Sequence, residues 1–284
     1  MNAPARDYRG ERVALLTRHG KQDLLRPVIE PALGCRIEHT DAFDTDRLGA
    51  FTREIARAGT QIEAATRKAR LALSITGARV AVASEGSFGA GPYGALVPWN
   101  VECVLWLDER RALQVIGWAQ GPAMSVQREL RTRDDLDRLA RDAGCPQHRL
   151  VLRPEHPDHP ALHKGLGTAD ALEAAFAECQ RVSSDGRVWA ESDLRAHCNP
   201  TRQAVIRQAA EDLVRRLQSK CPTCRAPGYW IDSRVPGRPC CECGIPTREP
   251  VAERWRCVAC DRTEDRPVDH GACADPARCD QCNP

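Results

Sequence analysis

The chain lacks any apolar run near the roughly 18 residues that a membrane-spanning helix requires. It has no low-complexity tract, and its first 220 residues contain no internal repeat, which excludes a repeat array. It also lacks an excess of one charge: 41 Lys and Arg stand against 39 Asp and Glu, a net of +2. From Cys221 onward nine basic residues face ten acidic ones, a net of −1 that leaves +3 for the rest. Neither part offers the strongly basic surface of non-specific nucleic-acid binding, so no nucleic-acid partner is expected. The opening MNAPARDYRGERVALL carries charge but no apolar core of signal length, and the expected location is cytoplasmic.

What the chain has in abundance is cysteine. Of 15 cysteines, ten fall in the last 64 residues, and eight of these form CxxC pairs: Cys221/Cys224, Cys240/Cys243, Cys257/Cys260 and Cys279/Cys282. Two thiolates at that spacing in a tight turn point at one ion, and two such turns complete a tetrahedral zinc site. Eight ligands therefore predict two zinc ions. Four-cysteine sites leave no open position, so the expected role is structural, supplying folding energy that a short segment poor in apolar residues lacks. Sequential pairing is the simpler arrangement; crossed pairing, first pair with third, stays open. Cys241, Cys273 and His270 are spare ligands. Two such sites each carry about −2 formally, four thiolates against one Zn²⁺, which favours protein contact or intramolecular support for this tail over nucleic acid.

Residues 1–220 read as an α/β domain, a mixed sheet flanked by helices, followed by a small zinc-ribbon-type domain over 221–284. Expected strands cover 11–17, 35–38, 79–83, 101–107, 112–118, 149–153 and 188–191. Expected helices cover 23–33, the segment DTDRLGAFTREIARAG with Leu48, Phe51 and Ile55 on one face, 60–76, 134–143, 168–181 and 200–220. Thr60 and Glu63 form a capping-box pattern, and Gly77 suits the far end of that helix. GSFGAGPYGALVPWN reads as a loop, as does HPDHPALHK.

The stretch VAVASEGSFG raises the chemical question, because a buried strand ends in Ser84, Glu85 and Gly86. Glu63 and Glu85 are the candidate catalytic carboxylates. With substrate phosphates they would hold Mg²⁺, which takes oxygen ligands. Thr17, Arg18, Lys21 and Lys68 would line the cleft and bind phosphate. Arg195, His197 and Arg202, within the charged cluster Glu191, Asp193, Arg195, His197, Asn199 and Arg202, would complete it. Each has a plainer explanation: Glu63 as helix cap, Glu85 as strand end, the last cluster as a salt-bridged loop.

Two resemblances follow from these motifs. KARLALSITGARVAVASEGSFG, PWNVE, ESDLRAHCNPTR and CPTCRAPG…CCECGIPT resemble an uncharacterised bacterial family, a domain of unknown function, from about Thr60 onward. That match implies architecture and no reaction. More distantly, the first 90 residues resemble the inosine triphosphate pyrophosphatase superfamily. Thr17 to Lys21 stands where that family has its phosphate loop. Thr60, Ile62, Glu63, Lys68, Ala69 and Arg70 stand in the register of its TFxENAxxKAR helix. The departures are Ala64 for the motif's Asn, and Ala83 and Ser84 for its acidic pair, with Glu85 one residue late. The resemblance implies Mg²⁺-dependent hydrolysis of a phosphoanhydride in a nucleotide. The alternative is a non-enzymatic interaction module whose zinc tail docks a protein.

Overall fold

A computed structural model describes residues 8–45, 59–92, 94–269 and 271–284. Two compact units emerge: one runs to Arg111 and from Ile116 to Val214, the other comprises Ala112–Val115 and Arg215–Pro284. Among the described residues no helix is long and apolar enough to cross a membrane. Most of the amphipathic segment carrying Leu48, Phe51 and Ile55, together with His270, lies outside the described residues.

The first unit opens with β1 (Arg12–Leu16), α1 (Gln22–Leu33), β2 (Arg36–Thr40), α2 (Gln61–Thr76) and β3 (Val80–Gly91). Parallel to β1 lie β2 on one side and β3 on the other. The first crossover leads from β1 outward to β2 and the second returns past β1 to β3, so the direction of winding reverses at β1, the kind of switch point at which open α/β sheets form their crevice. With β4 (Gly94–Asp108) and β5 (Leu113–Pro122) the sheet has the order β2-β1-β3-β4-β5.

The capping box predicted at Thr60 and Glu63 is present, and Gly77 ends α2 in the left-handed conformation with φ 67°. Ala65, Ala69, Ala72 and Leu73 pack on Ala14, Leu16, Ala81, Ala83 and Leu105. Small side chains let this helix lie close to its sheet face. The opposite face receives α5 (Pro200–Gln218). There a side chain on Gly117 would begin 2.2 Å from the Leu213 nitrogen, so only glycine admits the helix backbone.

At the outer edge of the sheet, Glu30 accepts from the Ile37 N–H (2.8 Å) and Arg26 donates to the Ile37 carbonyl (3.1 Å). Both side chains come from α1, so its helix occupies the outward N–H and C=O of Ile37, which β2 would otherwise offer a further strand.

The segment expected as a loop after Glu85 is instead a long antiparallel hairpin, paired from Val80↔Asp108 to Gly91↔Gly94. Two of its glycines, Gly86 and Gly91, sit where partner side chains cross the ladder. A Cβ on Gly86 would fall 2.0 Å from Glu102 Oε1, and one on Gly91 would fall 2.8 Å from the Trp99 ring.

A four-stranded sheet of order β6-β9-β7-β8 completes this unit, built from β6 (Gln127–Leu130), β7 (Leu150–Pro154), β8 (His163–Leu166) and β9 (Val188–Ser192). Helices α3 (Arg133–Ala143) and α4 (Ala169–Val182) cover it, with Leu136, Leu139, Leu172 and Phe176 against Leu150, Leu152, Val188 and Ala190. The short, polar β6 and β8 carry no alternation a sequence reading could detect, and β8 takes up His163 and Lys164 of the expected HPDHPALHK loop.

The second unit is an antiparallel sheet of β10 (Tyr229–Pro236), β11 (Pro250–Cys257) and β12 (Thr263–Pro267).

Candidate metal centres and a buried charge cluster

Two groups of four cysteines gather at this sheet: Cys221, Cys224, Cys257 and Cys260, and Cys240, Cys243, Cys279 and Cys282. The pairing is crossed, first pair with third and second with fourth. Two successive ribbons, the simpler expectation, do not form, because Tyr229 pairs with Cys257 across β10 and β11 and draws the first and third turns together. Sulfur separations are 3.7 Å for Cys221–Cys260, 3.6 Å for Cys224–Cys257, 3.8 Å for Cys240–Cys282 and 3.6 Å for Cys243–Cys279. A tetrahedron with Zn–S bonds of about 2.3 Å has edges of about 3.8 Å, so both groups fit zinc. Neither group leaves a fifth donor or an open position in its set, which matches a structural ion.

The local backbone explains the fit. The residue after the second cysteine is left-handed in three of the four turns: Arg225 (φ 63°), Gly244 (φ 73°) and Asp261 (φ 55°). In the same three turns the first cysteine's N–H reaches the carbonyl five residues on, Cys221 to Ala226, Cys240 to Ile245 and Cys257 to Arg262. Against the upward push of burial, the amides of Cys224 and Thr223 bring the Cys221 thiol down to about 6. The amides of Cys243 and Glu242 bring Cys240 to about 7. The first cysteine of each of these two turns is thus favoured as thiolate, the form a metal binds, while burial pushes Cys257 up and the neighbouring thiols push Cys282 up. Cys241 and Cys273, spare ligands by sequence, are joined to each other as a disulfide.

The second candidate lies at the carboxyl end of β1. Thr17 and Lys21 are buried there, 4% and 7% exposed. Lys21 donates to the Ser84 carbonyl at 2.5 Å. Lys68, from α2, is ion-paired with Glu85. On the other face of the hairpin Arg202, from α5, holds Glu102 through Nε at 2.7 Å and a second nitrogen at 3.4 Å. Both members of that pair are almost fully buried, with side chains 2% and 0% exposed. Glu102 is directly opposite Gly86 and Cys103 opposite Glu85, so the two carboxylates point to opposite sides of the sheet. Lys21 feels both, together with Arg202 and Lys68. Burial first, then the Arg202 cation, brings its amine down to about 8.

The third cluster reaches the same place. The His19 and His197 rings stack at 5.2 Å. Burial and the Arg195 and His19 charges hold the His197 imidazole below its ordinary value. Asp193 accepts from Arg195 Nε at 2.9 Å and from the Gly165 amide at 3.0 Å. Burial pushes the Asp193 carboxyl up, but Arg195 outweighs it and holds it low.

Two expected members stand apart. Glu63 is exposed, and its carboxylate accepts the Thr60 N–H at 2.7 Å within the capping box. At two positions from Gln61 it lies on the far side of the helix; Gln61 is the residue that reaches the hairpin, donating to the Glu85 carbonyl at 2.6 Å. Arg18 is drawn out to Asp44 at 3.0 Å. The convergence of Glu63 with Glu85 on a magnesium ion is therefore not built. Among the described residues, only the two four-cysteine groups gather three or more metal-ligating side chains.

Sequence reasoning missed Glu102 and Gln61. Glu102 had a signal: it is the one acid inside the apolar run Val101–Leu107. Two cavities, of about 720 Å³ beside β2 and about 470 Å³ between α3 and α4, are not lined by the charge cluster. The chemistry argues for the cluster all the same, because buried charge concentrates at functional sites while concavity alone has no reactive group.

No curated protein and no solved structure matches the chain. The likeness to the pyrophosphatase superfamily is not shown by these comparisons. The model of a domain of unknown function (DUF6671) matches residues 68–284, from α2 through both cysteine groups, and the chain belongs to that family.

Proposed function

We infer that the first unit binds a phosphate-bearing small molecule, such as a nucleotide, at the carboxyl end of β1. One observation carries this reading: Lys21 and Arg202 are buried and Lys68 is largely so, gathered with the carboxylates of Glu85 and Glu102 at the switch point. The cluster keeps a formal charge of +1 in a desolvated place, where an anion is favoured. His19, His197 and Arg195 extend the lining.

We assign binding and no hydrolysis. Lys68 occupies the Glu85 carboxylate and Glu63 is committed to its helix cap, so the pair the resemblance implies is absent. The two cysteine groups fold the second unit around zinc. A protein partner for that unit is supported by Ile245 and Val258, apolar side chains 45% and 48% exposed on two of the cysteine turns.

The test is thermal unfolding of the zinc-loaded protein with pyrophosphate and with nucleoside mono-, di- and triphosphates. A ligand at 100 times its Kd stabilises by about 2.7 kcal/mol. We expect a rise that His197→Ala weakens. No rise with any of these anions overturns the reading. For the second unit, Ile245→Asp with Val258→Asp should release a co-purifying protein while two zinc ions are retained; unchanged co-purification overturns that part.

A further inference from the structure

Lysine is scarce in this chain: four lysines stand beside 37 arginines. Two of the four, Lys21 and Lys68, belong to the buried cluster. Arginine would supply the same charge with more donors. What lysine alone supplies is an amine that can lose its proton.

Geometry separates the two lysines. Lys68 is paired with Glu85, and Arg202 takes both oxygens of Glu102. The hydrogen bond of Lys21 goes to a neutral carbonyl, that of Ser84. Lys21 is 7% exposed and sits in the field of Arg202 and Lys68, opposed by Glu85 and Glu102. A lysine desolvated beside another cation is one of the standard ways an amine becomes a nucleophile near neutral pH. The neighbouring residue, Gly20, has φ 68°, and a Cβ built on it would lie 3.8 Å from the His197 Cβ, so the backbone beside Lys21 runs close to the His19–His197 stack.

We propose that Lys21 is a reactive amine that forms an imine with a phosphorylated aldehyde or ketone. This rests on the anion-binding reading above for the phosphate end only. In the step, the neutral Nζ adds its electron pair to the carbonyl carbon and gives a carbinolamine. The carbonyl oxygen then leaves with both amine hydrogens as water, and a C=N bond joins ligand to Lys21. No oxidant or reductant enters.

The test uses pyridoxal 5′-phosphate as probe on the full zinc-loaded chain at pH 7.5. Borohydride supplies hydride to the imine carbon and fixes it as a secondary amine, which peptide mass mapping locates. Lys164 is exposed and serves as internal reference. Ordinary lysines titrate near 10.4, so Lys21 should carry about tenfold more adduct than Lys164 or better. Pyridoxal, without the phosphate, should label Lys21 far less, and pyrophosphate should protect it. Lys21→Arg should lose the adduct while Lys164 is labelled as before; the pyrophosphate-induced rise in melting temperature is read on the unsubstituted chain. Labelling of Lys21 no greater than of Lys164, with that rise intact, overturns the reactive amine and leaves the anion cleft standing. Equal labelling by pyridoxal and its phosphate, with no effect of pyrophosphate, overturns the phosphate requirement and the anion cleft with it.

Discussion

Arg202 and Glu102 are one hundred residues apart in the chain and meet in the sheet interior at 2.7 Å. Arg202 is held further: it donates to the Leu194 carbonyl at 2.6 Å, and its backbone N–H is fixed by Asn199 Oδ1. Removing one partner strands a buried charge, which costs about 3–5 kcal/mol. Arg202→Met should therefore lower the unfolding free energy by that order, and Arg202→Met with Glu102→Leu should recover part of it. Denaturant unfolding of the three proteins measures this; a double variant no more stable than the single would refute the account.

Gly86 faces the same carboxylate. A methyl there would overlap Glu102 Oε1, which Arg202 keeps from moving. Overpacking of this kind costs about 1–3 kcal/mol. Gly86→Ala should lower the melting temperature, while Gly89→Ala, with nothing within 4 Å of its Cβ position, should leave it nearly unchanged. Equal effects at the two glycines would contradict this.

Lys21 gives a pH dependence with a definite sign. Its folded-state value of about 8 lies below the ordinary 10.5. Below pH 8 it is protonated in both states and the burial penalty is fully present. Between about 8 and 10.5 the folded state has lost its proton while the unfolded state keeps it, so stability rises with pH. The rise belongs to the difference between wild type and Lys21→Met, which cancels the contribution of every other titrating group. Anion affinity should run the other way and fall above pH 8 as the ammonium is lost. A difference curve that is flat across this window would count against the buried amine.

Glu63 and Thr60 separate helix capping from ligand binding. Thr60→Ala should cost about 1 kcal/mol through loss of the cap. Glu63→Ala should lower stability in the same direction and leave pyrophosphate binding untouched. A loss of binding at Glu63 would return that carboxylate to the cleft.

The zinc sites make a stoichiometric prediction. Elemental analysis should find two zinc ions per chain. Cys257→Ser should lose the ion that it shares with Cys221, and Cys279→Ser the other. Structural zinc supplies on the order of 10 kcal/mol of folding free energy, so a strong chelator should unfold the β10–β12 sheet. One ion per chain, or a sheet that survives chelation, would defeat the assignment.

Much of this was legible in the residues. CxxC turns fix metal chemistry locally, and so the eight ligands could be read directly. Capping residues such as Thr60 and Gly77 act within one helical turn, and that helix was placed to within a residue. What could not be read depends on partners distant in sequence. Which turn shares an ion with which is decided by the β10–β11 register, not by spacing. Gly86 and Gly91 suggest a loop until Glu102 and Trp99 are seen to need their space. Glu63 and Gln61 are two positions apart, and only the phase of α2 against its sheet tells which of them faces the hairpin. The crevice itself is a property of strand order: Lys21, Glu85, Glu102 and Arg202 are scattered over 182 positions and share a place only because β1 is flanked by two parallel neighbours.

The crossed cysteine pairing has a consequence for how this part of the protein can change or be made. The two metal loops overlap along the chain, the first spanning 221–260 and the second 240–282. A break anywhere from 225 to 278 divides the ligands of at least one ion, so neither site can be lost, duplicated or transplanted as a cassette. During synthesis, the turn at Cys240 must wait with its thiols unclaimed until Cys279 and Cys282 have been added, while the first site can already close. The order of metal loading is thus set by the chain's own direction, and Cys279 with Cys282 completes the second site.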